Sequence, residues 1–448
     1  MSRRNVDMLS GRLAPNIISF AIPIAVTGIL QQLFNAADVA VVGRFVGKEA
    51  MAAVGSNSSV IGLLVNLFVG ISMGVNVVIA QASGQNNPER IKKTVHSSIL
   101  VALIGGVLVT LIGEVGAVPV VELLGVPDSV APMAVLYLRI YFLGMPANFL
   151  YNFEQAIYRS RGNTRLPLMV LSAAGVLNVI LNVFFVVVVH LSVAGVALAT
   201  VISSTCSGLT LLYTLMKSDD LIHVDIACLA LDGNVLKEVM RIGIPSGIQG
   251  MVFSLSNIVL QSAINSLGAT IMAASSAAFN VEIFAYYLMN SFAQACTTFV
   301  GQNHGAGNNS RCREVLRKCI LLDFAFTATL CLLIIRFSAT LLGLFNTDPA
   351  VIAAGQTRIL YVYFAYAFSL IQDNFSGYLR GFGISSIPAI STVIGVCGTR
   401  ITWVFTVFKR NPSFGKLMQC FPLSLFATAV VMVALTWIIA PSKKAQKK

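Results

Sequence analysis

The sequence predicts an all-α polytopic membrane protein: twelve transmembrane helices in two six-helix lobes, related by a pseudo-two-fold axis along the membrane normal. Three observations carry this prediction. First, the 448 residues are 56% hydrophobic and only 11% charged, with mean hydropathy +0.82. Soluble domains carry about 25% charged residues, and apolar runs of the ~20 residues that cross a bilayer recur here along the whole chain. Second, the chain repeats itself. Gln81 and Gly84 recur 221 residues later as Gln302 and Gly305, and Arg159, Gly162 and Pro167 recur as Arg380, Gly383 and Pro388. Pro23 recurs as Pro245, one residue out of step. These are helix breakers and loop formers, so the repeated object is a bundle. Third, the Lys and Arg residues fall on one side of the spans.

The spans follow in order. Residues 14–42 open the first copy after Arg12 and contain Pro23. Residues 52–83 follow the Arg44 and Lys48 loop and end in Gln81–Gln85 (QASGQ). Residues 91–117 begin beside Arg90, Lys92 and Lys93, and residues 130–158 end at Arg159 and Arg161. Residues 166–189 begin at the turn Arg161–Pro167 (RGNTRLP), and residues 193–216 end at Lys217. The second copy keeps this order: 236–266 with Pro245, 270–301 running into Gly301–Ala306 (GQNHGA), 314–338 after Arg311 and Arg313, 351–379 before Arg380, 387–408 after Arg380–Pro388 (RGFGISSIP), and 417–440 after Lys416. Runs longer than 25 residues tilt or project from the hydrocarbon. Residues 217–234 are the one sizeable polar connection. They read as a cytoplasmic linker with a short amphipathic piece (Leu221, Ile222, Val224, Ile226) between lobes 1–216 and 235–448.

With the N-terminus in the cytoplasm, 21 of the 30 Lys and Arg residues fall in cytoplasmic segments, including Arg3, Arg4, Lys443, Lys444, Lys447 and Lys448, and only 5 in external loops. The positive-inside rule then puts both ends inside, across the plasma membrane of a bacterium. The loop of Lys409, Arg410 and Lys416 runs against the trend. Both copies start inside, so they share one orientation, the parallel-repeat arrangement of alternating-access transporters. A channel would more naturally assemble rings of subunits.

Several classes are disfavoured. The net charge of +12 is dispersed over loops rather than gathered into a nucleic-acid patch. Met1 to Arg12 is polar and basic, and the first apolar run is too long for a signal h-region. The eight Cys form no Cys-x-x-Cys pair and read as small apolar residues. His96, His190, His223 and His304 sit at helix ends, in loops or in the linker. No phosphate-cradling Gly-rich loop argues for an ATP-driven pump. No Ser/His/Asp or metal-ligand cluster argues for an enzyme, so no cofactor is expected beyond a coupling ion, H+ or Na+.

A charge within an apolar helix costs about 2.5–3.5 kcal/mol on insertion scales, so function is its default reading. Asp38 is the sharpest case. Gln31, Asn35 and Asp38 fall at i, i+4 and i+7, one face of the first span. The fifth span offers Asn178 and Asn182 at i, i+4, and the sixth offers Thr200, Ser203 and Ser204. One carboxylate with carboxamides and hydroxyls suits a proton or small cation, although Asn and Ser also glue helices together. Burial penalises the charged form of a carboxyl, which suits a group that takes and gives up a proton. The second copy carries Val259 and Leu260 where Asp38 would recur. It holds instead Glu282, with Asn280, Tyr286 and Asn290, and the pair Gln372 and Asp373. Glu282 and Asp373 either pair with Arg400 or Arg139 or attract a cationic substrate. Glu154, beside Tyr151, Gln155 and Tyr158, either snorkels, pairs with Arg159 or Arg161, or serves function.

The chain resembles the multidrug and toxic compound extrusion (MATE) family over essentially its full length, and its DinF-like bacterial branch in particular. The motifs that carry the resemblance are Leu33–Gly47 (LFNAADVAVVGRFVG), QASGQ with GQNHGA, and RGNTRLP with RGFGISSIP. The resemblance implies two six-helix lobes and export of organic cations against inward H+ or Na+. It places the family's first-span acid on Asp38, its fifth-span Asn and Asp on Asn178 and Asn182, and its sixth-span Thr on Thr200. The Asp-to-Asn departure at Asn182 leaves Asp38 as the lone acid there. A Glu that the sodium-coupled branch carries about nine residues after the seventh-span Pro is Ser254 here, which favours H+ over Na+. The substrate cavity is expected around Gln31, Asn35, Glu282, Tyr286, Gln372 and Asp373, in a monomer embedded in lipid. The alternative is a flippase for lipid-linked saccharides from a related family, disfavoured by the few intramembrane cations.

Overall fold

The computed structural model describes residues 5–439, and Arg3, Arg4 and the lysines from Lys443 onward lie outside them. The described residues form helices and no strand. Twelve crossings emerge. α1 (Leu13–Phe45), α2 (Lys48–Gly84) and α3 (Pro88–Leu123) are long single helices. α4 (Ala131–Leu143) and α5 (Met145–Ser160) together make the fourth crossing. α6 (Arg165–Val183) runs into a π-helical turn, Phe184–Val188, and α7 (Ser192–Met216) closes the first copy.

In the second copy α8 (Gly233–Asn265), α9 (Ala269–Gly305) and α10 (Asn309–Arg336) are followed by the short α11 (Ser338–Gly343) and by α12 (Pro349–Gly381). The eleventh crossing is α13 (Ser386–Thr392), α14 (Thr399–Trp403) and two π-helical stretches, Val393–Gly398 and Val404–Phe408. The last is α15 (Phe414–Met418) with α16 (Cys420–Ile439). Ten helical stretches are long and apolar enough to span, and the α4–α5 pair makes eleven. The twelfth, α12, has ample length at 33 residues. It is less apolar because it carries Arg358, Asp373 and Arg380.

The fourth crossing differs from the single helix expected over 130–158. It breaks at Gly144 and bends by 49°. Pro146 begins α5; it has no N–H to give and its ring clashes with the preceding turn, so the helix restarts there.

The chain divides into two compact units. One contains Val26–Ala82 and Asn87–Gly243. The other contains Val6–Ala25, Ser83–Asn86 and the chain from Ile244 onward. The divisions thus fall inside α1 and α8, within three residues of Pro23 and Pro245. An interior proline removes one backbone hydrogen bond, which weakens the helix there.

In the first unit the core is built on Phe149, Phe153, Leu138 and Ile99, all essentially inaccessible. The rings of Phe68 and Phe149 stack at 3.6 Å. Residues 217–234 pack onto α3: the Asp225 N–H donates to His96 Nε2 at 3.1 Å, and Ser97 Oγ donates to the Ala230 carbonyl at 3.1 Å. Ile222 and Val224 are buried, while Leu221 and Ile226 are exposed, so half of the amphipathic piece supplies the anchor. In the second unit α12 packs on α9, and Gly377 permits the approach. A Cβ there would lie 2.5 Å from the Ala293 carbonyl. Ile112, Val115, Phe364 and Ile394 are exposed by half or more; in a bilayer such surface faces lipid.

Candidate ion-coupling site

Asp38 lies seven residues before the end of α1, about 10 Å along the axis. Two elements bring donors to it. Asn178 and Asn182 are one turn apart on α6, and Gly175 lets that helix close on α1, since a Cβ there would fall 1.8 Å from the Phe34 ring. Asn182 is one residue short of the end of α6, just ahead of the Phe184–Val188 π turn. Such turns often mark functional places in helices. Thr200 comes from α7.

The geometry gathers these four residues into one cluster. Asn182 Nδ2 donates to Asp38 Oδ1 at 2.5 Å and to Asn178 Oδ1 at 3.1 Å. Thr200 Oγ1 donates to Asp38 Oδ2 at 3.3 Å, and it has a second acceptor in the Val196 carbonyl at 3.0 Å. Asn178 Nδ2 reaches Thr200 Oγ1 at 3.4 Å. Asp38 is 7% exposed and Asn182 is inaccessible. Among the described residues no Lys, Arg or His nitrogen lies within 4 Å of Asp38, and Asn182 Oδ1 has no hydrogen-bond partner. A buried carboxyl with donors but no cation binds a proton or a small cation, and the free carboxamide oxygen is a ready acceptor for either. Tyr137 and Tyr141 of α4, whose rings stack at 6.1 Å, lie within electrostatic reach of Asp38. Their sequence gave no periodic signal pointing to Asp38.

Gln31 and Asn35 do not join the cluster. Asn35 is exposed and Gln31 partly so. Ser203 Oγ donates to the Thr200 carbonyl of its own helix at 3.0 Å, so it does not reach Asp38.

In the second unit Glu282 forms a buried ion pair. Arg358 Nη2 donates to Glu282 Oε1 at 2.5 Å and Arg358 Nε donates to Oε2 at 3.2 Å. The expected partners were Arg400 and Arg139, and neither is used. Arg139 faces Glu114 at 3.8 Å. Arg400 lies over the rings of Phe421 and Phe253, at 4.5 and 5.4 Å. The sequence periodicity could not see that α12 presents Arg358 to α9. Gln372 Nε2 and Gln249 Nε2 both donate to Thr392 Oγ1, at 3.2 and 2.9 Å, and Arg380 Nη2 donates to Gln249 Oε1 at 2.5 Å. Asp373 Oδ2 accepts from Ser369 Oγ at 3.3 Å. Tyr286 lies within electrostatic reach of Asp373 and Arg380. Tyr286, Gln372 and Asp373 therefore share a polar patch, from which the Glu282 ion pair is distinct.

Glu154 neither snorkels nor pairs with Arg159 or Arg161. It is inaccessible and neither carboxyl oxygen has a partner. Arg159 donates instead to Gln155 Oε1, and Arg161 Nη2 to Asp220 Oδ1 at 2.9 Å. A further acid, Asp323 of α10, escaped the sequence reading although Asp323 and Thr327 show the same i, i+4 signal that singled out α6.

Among the described residues no group of three or more His, Cys, Asp and Glu side chains could hold a metal ion.

Two bundles of membrane helices joined in one chain, with a buried acid facing carboxamide and hydroxyl donors, define a multi-pass membrane transporter. The family model MatE matches residues 23–184 and again residues 245–406, two matches that begin 222 residues apart. The chain belongs to the MatE family, and it is a transporter rather than an enzyme. It is 27% identical to the probable multidrug resistance protein YoeA of Bacillus subtilis, covering 87% of this chain and 85% of that one. It is 26% identical to the probable multidrug resistance protein NorM of Thermotoga maritima, covering 88% and 85%. A crystal structure of MATE in complex with MaL6 superposes on the whole of both chains with TM-score 0.92 at 20% identity.

Proposed function

We propose that this transporter exports amphipathic organic cations in exchange for inward H+, by alternating access, from the cytoplasmic side of a bacterial plasma membrane where both termini lie. The observation that supports it is the buried Asp38, held by Asn182 and Thr200 with no cation beside it. The curated relatives' multidrug names support the substrate class. When Asp38 is ionised, Asn182 Nδ2 and Thr200 Oγ1 stabilise its two oxygens. When it takes a proton, Thr200 retains the Val196 carbonyl as an alternative acceptor, so neither state strands a hydroxyl. One proton moved through 100 mV supplies about 2.3 kcal/mol. That sustains a gradient of about 50-fold, since 1.4 kcal/mol is tenfold.

The test is ethidium efflux from vesicles energised by a pH gradient, with a Na+ gradient as the parallel arm. Wild type should respond to the pH gradient, and Asp38→Asn should lose coupled efflux. Wild-type coupled efflux by Asp38→Asn would remove Asp38 from the mechanism. Efflux driven by Na+ alone would replace the coupling ion.

A further inference from the structure

The second unit contains another buried carboxyl built like the first. Asp323 sits 14 residues into α10 and 13 from its end, about 20 Å along the axis from either end. It is inaccessible. Asn374 Nδ2 of α12 donates to Asp323 Oδ2 at 2.6 Å, and Thr327 Oγ1 donates to Asp323 Oδ1 at 2.9 Å. The orientation of the carboxamide is fixed independently, because the same Nδ2 donates to the Leu370 carbonyl at 2.8 Å. Its oxygen, Asn374 Oδ1, is buried and has no partner.

These are the features of the Asp38 cluster: one carboxylate, an Asn whose nitrogen holds it, an Asn oxygen left open, and a Thr hydroxyl on the other carboxylate oxygen. The two trios are not copies of one another. The residues 221 before Asp323, Thr327 and Asn374 are Ala102, Gly106 and Phe153. The same donor set has therefore been assembled on different helices in each half.

The groups that face Asp323 are Asp373 on α12 and Cys319 and Cys331 on its own helix, with Cys296 of α9 beside Cys319. Among the described residues no Lys, Arg or His nitrogen lies within 4 Å. An ionised Asp323 in that setting is uncompensated, and Asp373 adds a second negative charge when it too is ionised. A proton removes the charge and gives the carboxyl a donor of its own. Thr327 can then accept that proton and turn its hydroxyl to the carbonyl one turn back, as Thr residues do in helices.

We propose that Asp323, Thr327 and Asn374 form a second proton site, which is emptied and refilled once per transport cycle. The transporter then exchanges two protons, one per unit, for each substrate cation. The inference rests on proton coupling at Asp38, and the experiment separates the two. Substrate (ethidium) is added to the purified full chain in weakly buffered detergent solution, and released protons are counted. Wild type should release two per bound substrate, and Asp38→Asn and Asp323→Asn one each. Release of one by wild type and none by Asp38→Asn would keep the first site and overturn the second. Release of none by wild type would overturn both. The Asp38→Asn arm decides the matter even where Asp323→Asn fails to fold. In liposomes, the substrate gradient that balances a given pH gradient should fall from its square to its first power in folded Asp323→Asn. An unchanged exponent would leave Asp323 a permanently protonated structural group and overturn the proposal.

Discussion

Replacing Glu282 by Gln removes one half of a buried ion pair. The two N–O separations are 2.5 and 3.2 Å, and the paired side chains are 8% and 6% exposed. At a separation of about 3 Å and an effective dielectric near 20, the attraction is about 5–6 kcal/mol. Most of that offsets the loss of hydration. Arg358 would keep only the Ser275 hydroxyl, at 2.7 Å, as a firm partner. Breaking a buried pair from one side costs about 3–5 kcal/mol, because the remaining charge is left uncompensated. Replacing both residues with apolar groups of similar volume costs far less. Glu282→Gln and Arg358→Met should each lose about 3–5 kcal/mol in reversible unfolding from mixed micelles. The double variant should lose less than either, giving a coupling of about 3 kcal/mol or more. In folded Glu282→Gln the KM for ethidium should stay within about twofold of wild type, because Arg358 already neutralises the acid. Strict additivity of the two substitutions would refute the pairing argument. A tenfold rise in KM, about 1.4 kcal/mol, would show a carboxylate working on the cation.

Gly175→Ala should drive a methyl into the Phe34 ring and cost about 1–3 kcal/mol of stability. It should also weaken coupled transport by moving Asn178 and Asn182 away from Asp38, and Phe34→Leu in the same chain should restore part of both. Outside the membrane, Asp7 accepts hydrogen bonds from the Ser10 hydroxyl and from the Ser10 and Leu9 amides, which hold its carboxyl below the usual 3.8. The folded form binds its proton less readily than the unfolded one, so this contribution is present above pH 4 and is lost as the pH falls through the depressed value. Amide exchange at Leu9 and Ser10 should therefore accelerate on acidification below pH 4 in wild type, and at neutral pH in Asp7→Ala. Equal exchange in the two proteins at neutral pH would remove the cap.

The class, the crossings and the repeat were legible because hydropathy and helix breakers are local in sequence. The Asp38 cluster was legible in its residues: spacing put Asn178 and Asn182 on one face, and resemblance added Thr200. The break at Gly144 was not foreseen, although Pro146 stood in plain sight, because the flanking residues are apolar enough to read as one run. Partnerships between distant helices were illegible in another way. Nothing in the spacing of α9 or α12 ties Glu282 to Arg358, or Asp323 to Asn374. Asp323 was overlooked because attention followed the repeat, and this acid has no repeated counterpart.

By itself the sequence determined that the chain crosses a membrane many times in two like halves and that buried acids occur in both. Those properties follow from what water and hydrocarbon each tolerate, and they are written residue by residue. Only the tertiary structure decided which acids are neutralised. Glu282 has an arginine, Asp38 and Asp323 have carboxamides and hydroxyls instead, and Glu154 has nothing. A charge in hydrocarbon takes its meaning from the atoms within about 4 Å, and helices from remote parts of the chain supply them.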